Sequence, residues 1–340
     1  MDYFDIPVAL FLFKRKSTAL QIIEKISQVR PLKIYILSDE GRTSVERKLV
    51  SNVRKSVEEA INWECEIIKN YANENRGVYA NIALGAKWVF EHEEMAIFLE
   101  DDNLPEVSFF GYCKELLEKY KDDSRVLWIC GTNYLGKYEP QDGSSYMFTK
   151  HLLPCGWASW GKKFNEYYDY NLKLLNSDYL IKRVKYEYHD KRLYEQQMSN
   201  VELEKYKFDH NIQYMSWDYH MAWSCRVNNV YGISPKYNQI KNIGVDEFSA
   251  HGGNSMNLVM TKRFCGMESY NLELPLKHPQ VVLTDIIYEK KTGNIILLPL
   301  KVRIKLKLRK LIGKAFYLPP SVSITKSIVK KIKKGKNRND

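Results

Sequence analysis

No stretch of this 340-residue chain approaches the ~20 consecutive apolar residues that a bilayer-spanning helix needs. The apolar run at residues 7–13 is short and suits a buried strand. Cysteine is sparse. Cys65, Cys113, Cys130, Cys155, Cys225 and Cys265 include no CxxC pair and no other metal-ligand spacing, which leaves out zinc ribbons and predicts reduced, mostly buried thiols. Acid is almost missing from residues 301–340, which hold 14 Lys+Arg and only Asp340, a net of +13. The other 300 residues hold 38 Lys+Arg and 40 acids, a net of −2, so the formal +11 belongs to one end. A groove for nucleic acid would carry its charge in the body, so nucleic acid is not expected as a partner. Glycine is absent from Phe13-Lys14-Arg15-Lys16-Ser17, so no glycine-rich loop follows the first apolar run. There is no internal repeat. Met1-Asp2-Tyr3-Phe4-Asp5 is acidic where a signal peptide is basic, which predicts a cytoplasmic protein.

What is present is a large core. Hydrophobic residues make up 44% and aromatic residues 13%, which excludes disorder as the main state. Apolar runs and helical periodicities alternate through the first 130 residues. Strands are predicted at 6–13, 32–37, 65–68, 95–99 and 126–130, and helices after Ser17 and at 44–60, 78–91 and 107–120. That alternation predicts an α/β fold with a mostly parallel, doubly wound sheet. The second half is less regular. Residues 171–212, rich in Tyr, Lys and Glu, predict an exposed helical excursion, 214–226 a helix, and 237–256 a glycine-bearing mobile loop.

The sharpest local signal is Leu99-Glu100-Asp101-Asp102-Asn103-Leu104-Pro105, where a strand runs straight into three acids. Ligands of open α/β sheets bind at the carboxyl ends of strands. Three adjacent acids repel one another unless a cation sits among them, and a hard divalent ion there would leave room for phosphate oxygens. A solvated turn capping the next helix is the alternative.

The ordered stretches resemble the GT-A glycosyltransferases, which use nucleotide-sugar donors. The likeness is to the N-acetylglucosaminyltransferases that begin N-glycan branching and their bacterial relatives of polysaccharide synthesis. It rests on residues 7–15, Val29-Arg30-Pro31 with Ser38-Asp39, residues 99–110, Gly131-Thr132-Asn133, Gly156-Trp157-Ala158-Ser159-Trp160 and Ser216-Trp217-Asp218. The resemblance implies a GT-A (Rossmann-like) nucleotide-diphospho-sugar transferase fold. It implies that Asp102 binds Mn2+ or Mg2+, and that Glu100 and Asp101 hold donor hydroxyls or metal-bound water. Asp39 would meet the uracil and Arg15 the diphosphate, each with a plain turn or surface role as the alternative. Arg76, in Asn75-Arg76-Gly77, would approach the sugar phosphate, or belong to a simple loop. Trp157, Trp160 and Trp217 would offer apolar faces to sugar, or else lie in the core. Asp218 would be the base that takes the acceptor hydroxyl's proton, or else cap a helix. His220 would orient the acceptor or sit satisfied in the interior. His251 would contact the diphosphate from a closing loop, if that loop is more than an exposed connection.

The expected organisation is a nucleotide-sugar-binding half at 1–133, an acceptor and catalytic half at 134–274, and a basic extension at 275–340. Residues 301–309 alternate basic and apolar, a strand pattern that also suits a helix lying on an anionic membrane; a solvated tail is the alternative. The expected function is an inverting, metal-dependent transferase that moves a sugar from a UDP-sugar to a glycan or lipid-linked acceptor, peripheral on the inner face of the cell membrane. A sugar-phosphate nucleotidyltransferase and a non-catalytic glycan-binding or membrane scaffold are the competing readings.

Overall fold

The computed structural model describes residues 3–214, 216–245, 261 and 264–315. Its centre is an eight-stranded sheet in the order β3-β2-β1-β4-β8-β6-β9-β7. The strands are β1 (Val8–Leu12), β2 (Lys33–Ser38), β3 (Glu66–Tyr71), β4 (Met95–Glu100), β6 (Val126–Cys130), β7 (Tyr146–Thr149), β8 (Trp157–Trp160) and β9 (Tyr231–Pro235). All but β7 and β8 run in one direction, so the sheet is mostly parallel and the α/β expectation holds.

The continuous apolar runs follow from cover on both faces. Val8, Leu10 and Leu12 pack with α1 (Lys16–Ser27), α2 (Ser44–Ala60) and α5 (Ser108–Lys119). Ala9 and Phe11 point the other way. They join Tyr79, Ile82, Ala86 and Val89 of an irregular helix and Met221 of α9 (Asp218–Val227). That irregular helix comprises α3 (Gly77–Tyr79), a π segment (Ala80–Leu84) and α4 (Gly85–Val89).

The two expected halves share this sheet, since β6, from the first, pairs with β8 and β9, from the second. The excursion is helical, as expected. Its α7 (Asp178–Val184) and α8 (Lys191–Asp209) supply Val184, Met198 and Val201 to a satellite core around Trp223 of α9. The loop expected from 237 contains β10 (Ile240–Asn242), which pairs antiparallel with β5 (Asn103–Pro105) just past the acidic triplet. One boundary needs correction. Residues 275–299 are not a tail: Lys277 N donates to Ser145 Oγ, and the helix Ile286–Ile296 buries Tyr288 completely. Residues 301–309 are helical within Leu300–Ala315, not a strand. The rest of the basic end, 316–340, lies outside the described residues.

Candidate active site

The acids stand at the carboxyl end of β4, where the parallel register sets Glu100 beside Phe11 of β1. The chain leaving β1 turns over them. Phe13 N donates to Asp101 Oδ2 at 3.0 Å, and Arg15, just before α1, places Nη1 3.1 Å from both Asp101 Oδ1 and Asp102 Oδ2. From the other side Ile243 N donates to Asp102 O at 2.8 Å, and Asn242 Nδ2 lies 3.4 Å from Asp102 Oδ1. Gly244 closes this wall. A Cβ there would lie 2.2 Å from Asp102 Oδ2, so only glycine lets the backbone pass so close.

Asp218 belongs to the same constellation. Burial first, then Asp102, Asp101 and Asp218, push the Glu100 carboxyl well above the usual range, against the pull of Arg15. Asp102, Asp101 and Asp218 therefore each act on Glu100, and Arg15 opposes them. Asp218 is the first residue of α9 and is half-buried. The capping alternative falls elsewhere: Ser216 Oγ accepts from Tyr219 N at 3.2 Å and donates to Asp218 Oδ1, so Ser216 both ties the helix start and holds the carboxylate.

Asp39 does stand at the end of β2, but the chain itself engages both its oxygens. Oδ1 accepts from Glu40 N and Arg76 N, and Oδ2 from Asn75 Nδ2 and Gly77 N. Gly77 takes φ +81°, which this fold-back requires. Asp39 thus clamps β2 to α3, the turn role that stood as its alternative. Arg76 bonds Asn70 and Asn81 through its guanidinium, which anchors the loop and suits the plainer of its two readings.

The tryptophans also take their alternative, the core. Trp157 is 1% exposed and stacks on Phe98 at 4.0 Å and Trp128 at 4.1 Å. Trp160 is buried, with Nε1 donating to Leu117 O, and Trp217 is buried beside Trp128 and Trp157. None offers a ring face to a sugar. The stack instead spans the site's two halves, since Phe98 lies two residues before Glu100 and Trp217 immediately precedes Asp218. His220 is buried among Tyr79, Tyr168 and Tyr214, with Nε2 unpartnered, so it is an interior residue. Gly131-Thr132-Asn133 is also structural: Thr132 donates to Cys155 O, and Asn133 Nδ2 to the carbonyls of Pro235 and Lys236. His251 lies outside the described residues.

Asn242, Ser216 and Tyr134 acquire roles that the sequence pattern did not assign them. Tyr134 is half-buried on the turn after β6, and burial, Cys155 and Asp218 raise its phenol. It keeps some exposure, which the buried indoles do not. Its place directly after Gly131-Thr132-Asn133 was the available signal. A separate cavity of about 380 Å³ opens at the far end of α9, lined by residues including His151, Arg226 and Glu289; none of the four acids lines it.

No protein-family model matches the chain, and no curated protein matches it significantly. Solved structures with a similar arrangement include a mannosyltransferase from Pyrobaculum calidifontis in complex with GDP-Man and Mn2+. It is 9% identical, with a TM-score of 0.36 over 66% of this chain and 70% of that one. A UDP-glucose pyrophosphorylase complexed with UDP-glucose gives 12% and 0.37 over 70% and 94%. A 4-diphosphocytidyl-2C-methyl-D-erythritol synthase from Anaerococcus prevotii gives 10% and 0.31 over 51% and 78%. Glycosyl- and nucleotidyltransferases stand side by side in this set. At such scores the likeness carries no argument about activity, and the functional reading rests on the site.

Proposed function

We propose that this chain is a metal-dependent, inverting glycosyltransferase that moves a sugar from a UDP-sugar to a hydroxyl of a glycan or lipid-linked glycan in surface polysaccharide synthesis. The observation that carries the reading is the convergence of Glu100, Asp101 and Asp102, from the end of β4, with Asp218, from the start of α9. Direct displacement at an anomeric carbon calls for charge control at the departing diphosphate and a base at the attacking hydroxyl. The two groups of acids supply one requirement each.

The donor set suits a hard dication. It consists of carboxylate oxygens; Asp101 and Asp102 both bond the guanidinium of Arg15, and Asp102, Asp101 and Asp218 all act on Glu100, so added positive charge relieves the repulsion. Among the described residues no three His, Cys, Asp or Glu are arranged to hold a metal by themselves. Asp102 would therefore hold Mn2+ or Mg2+ together with donor phosphates and water, and the ion would supply positive charge to the leaving diphosphate. Arg15, which already bridges Asp101 and Asp102, would swing toward that diphosphate. Asp218, oriented by Ser216, would take the acceptor hydroxyl's proton as its oxygen attacks. Tyr134, whose phenol Asp218 acts on, would flank that hydroxyl.

The competing nucleotidyltransferase reading lacks its usual glycine-rich basic loop. Here residues 13–17 deliver Arg15 to the acids and start α1 at Lys16. A screen of nucleotide sugars, with and without Mn2+, tests the proposal. Metal-dependent release of UDP from a UDP-sugar is the expected result. Formation of a sugar nucleotide from a nucleoside triphosphate and a sugar phosphate would establish the nucleotidyltransferase instead.

A further inference from the structure

The helix Leu300–Ala315 leaves its apolar face uncovered. Leu300, Ile304, Leu308 and Leu311, at i, i+4, i+8 and i+11, form one stripe and are 62, 49, 53 and 63% exposed. A basic stripe runs along each side: Lys301, Lys305 and Arg309 on one, Arg303, Lys307 and Lys310 on the other. The second is turned toward α8, where Lys307 Nζ meets Glu195 at 2.8 Å and Lys310 Nζ meets Glu202 at 2.9 Å. The linker before the helix is fixed as well, since Gln196 of α8 donates to Ile296 O and accepts from Leu298 N. Together these bonds orient the helix with its leucine stripe outward.

We propose that this stripe docks on an anionic lipid bilayer, with the helix lying in the interface plane. Charge complementarity selects the occupant. Apolar side chains bordered by lysine and arginine suit acyl chains beneath anionic headgroups. The +13 of residues 301–340, set against a body of −2, concentrates attraction at this end. Among the described residues no helix is long and apolar enough to cross a membrane. The inference is independent of the donor site.

The test uses the full chain and co-sedimentation with phosphatidylglycerol/phosphatidylcholine vesicles or phosphatidylcholine alone. Binding should need the anionic lipid and weaken with salt. The double variant Ile304→Glu/Leu308→Glu should lose roughly tenfold or more in vesicle affinity, with an unchanged melting temperature and unchanged metal-dependent UDP binding. Lys301→Glu/Lys305→Glu should lose a similar amount, roughly tenfold, at low salt. Unchanged vesicle binding by Ile304→Glu/Leu308→Glu would overturn the stripe's role and assign attachment to charge alone. A dimer in sedimentation velocity that this variant dissociates, with no vesicle binding by the parent, would overturn the membrane and seat a second copy there.

Discussion

Asp102 and Asp218 have separable duties, and single substitutions should separate them. Asp102→Ala removes the carboxylate that would hold the metal, so metal-dependent UDP binding should disappear in calorimetry; unchanged binding refutes the assignment. Asp218→Asn keeps the side chain's shape and its place beside Ser216 but removes the base. Donor binding should survive while transfer falls about 10²- to 10⁴-fold. Full transfer by that variant would remove Asp218 from the chemistry. His220 gives a pH prediction. Burial pushes its imidazole down to about 4, so the folded protein keeps it neutral while the unfolded chain protonates near 6.5. The unfolded state then binds more protons between those values. Stability is full above about pH 6.5 and falls on acidification toward pH 4, by up to about 3 kcal/mol from this residue. His220→Phe should flatten that acid limb in denaturant titrations, leaving what buried His151, also shifted down, contributes. The acids were legible in the sequence because a strand that ends in carboxylates delivers them to the ligand-binding edge of an α/β sheet. The indoles were not. Whether Trp157 meets a sugar or Trp128 depends on which strand lies beside β8, and that pairing is tertiary.

Elements, more than single residues, close the site. The β5–β10 ladder brings residues 242–244 over Asp102, with Ile243 N on the Asp102 carbonyl and Asn242 near its carboxylate. Gly244→Ala would force a methyl group against Asp102 Oδ2. Because the clash is local, metal-dependent nucleotide binding should weaken by roughly tenfold or more while the melting temperature moves little, an effect of about 1.4 kcal/mol. A large loss of melting temperature with unchanged binding would show that the ladder gives way elsewhere. The parallel strands were readable because cover on both faces demands unbroken apolar runs. β10 escaped because three residues, Ile240-Lys241-Asn242, carry too little pattern to separate a strand from a loop. The helix Leu300–Ala315 was ambiguous for a different reason. Strict alternation of Lys or Arg with Val, Ile and Leu over 301–309 satisfies a period of two, and with the flanking Leu300 and Leu311 it also leaves a helical stripe at 300, 304, 308 and 311.

At the scale of the whole molecule, the end of the body and the start of the tail are set by burial, not by charge. The expected organisation put the boundary at residue 275, past the stretches that carry the resemblance. The structure moves it to about 299. Tyr288 is fully buried, and its hydroxyl meets Ser234 Oγ at 2.7 Å and donates to Asn133 Oδ1 at 3.3 Å. Glu289, also buried, accepts from Thr149 Oγ1 and from Lys150 N, and His151 bonds its carbonyl. The helix Ile286–Ile296 therefore completes one edge of the sheet. Ending the chain after Pro299 should remove the basic helix and leave the melting temperature within a few degrees, since the pairs it gives up, Lys307–Glu195 and Lys310–Glu202, are exposed and worth about 0–1 kcal/mol each. Ending it after Leu274 strips Tyr288 and Glu289 from β7 and β9 and takes the acceptor away from Thr149 Oγ1 and Lys150 N, while Ser234 keeps Thr132 O and Asn133 keeps Leu135 N. Buried polar groups so orphaned cost about 1–3 kcal/mol each, and loss of a buried tyrosine adds to that. Comparable to the whole stability of a domain, this should yield insoluble or molten protein, read by near-UV circular dichroism and by calorimetry. A shorter chain that still melts cooperatively near the parent temperature would return the boundary to residue 275 and make the helix Ile286–Ile296 part of the extension.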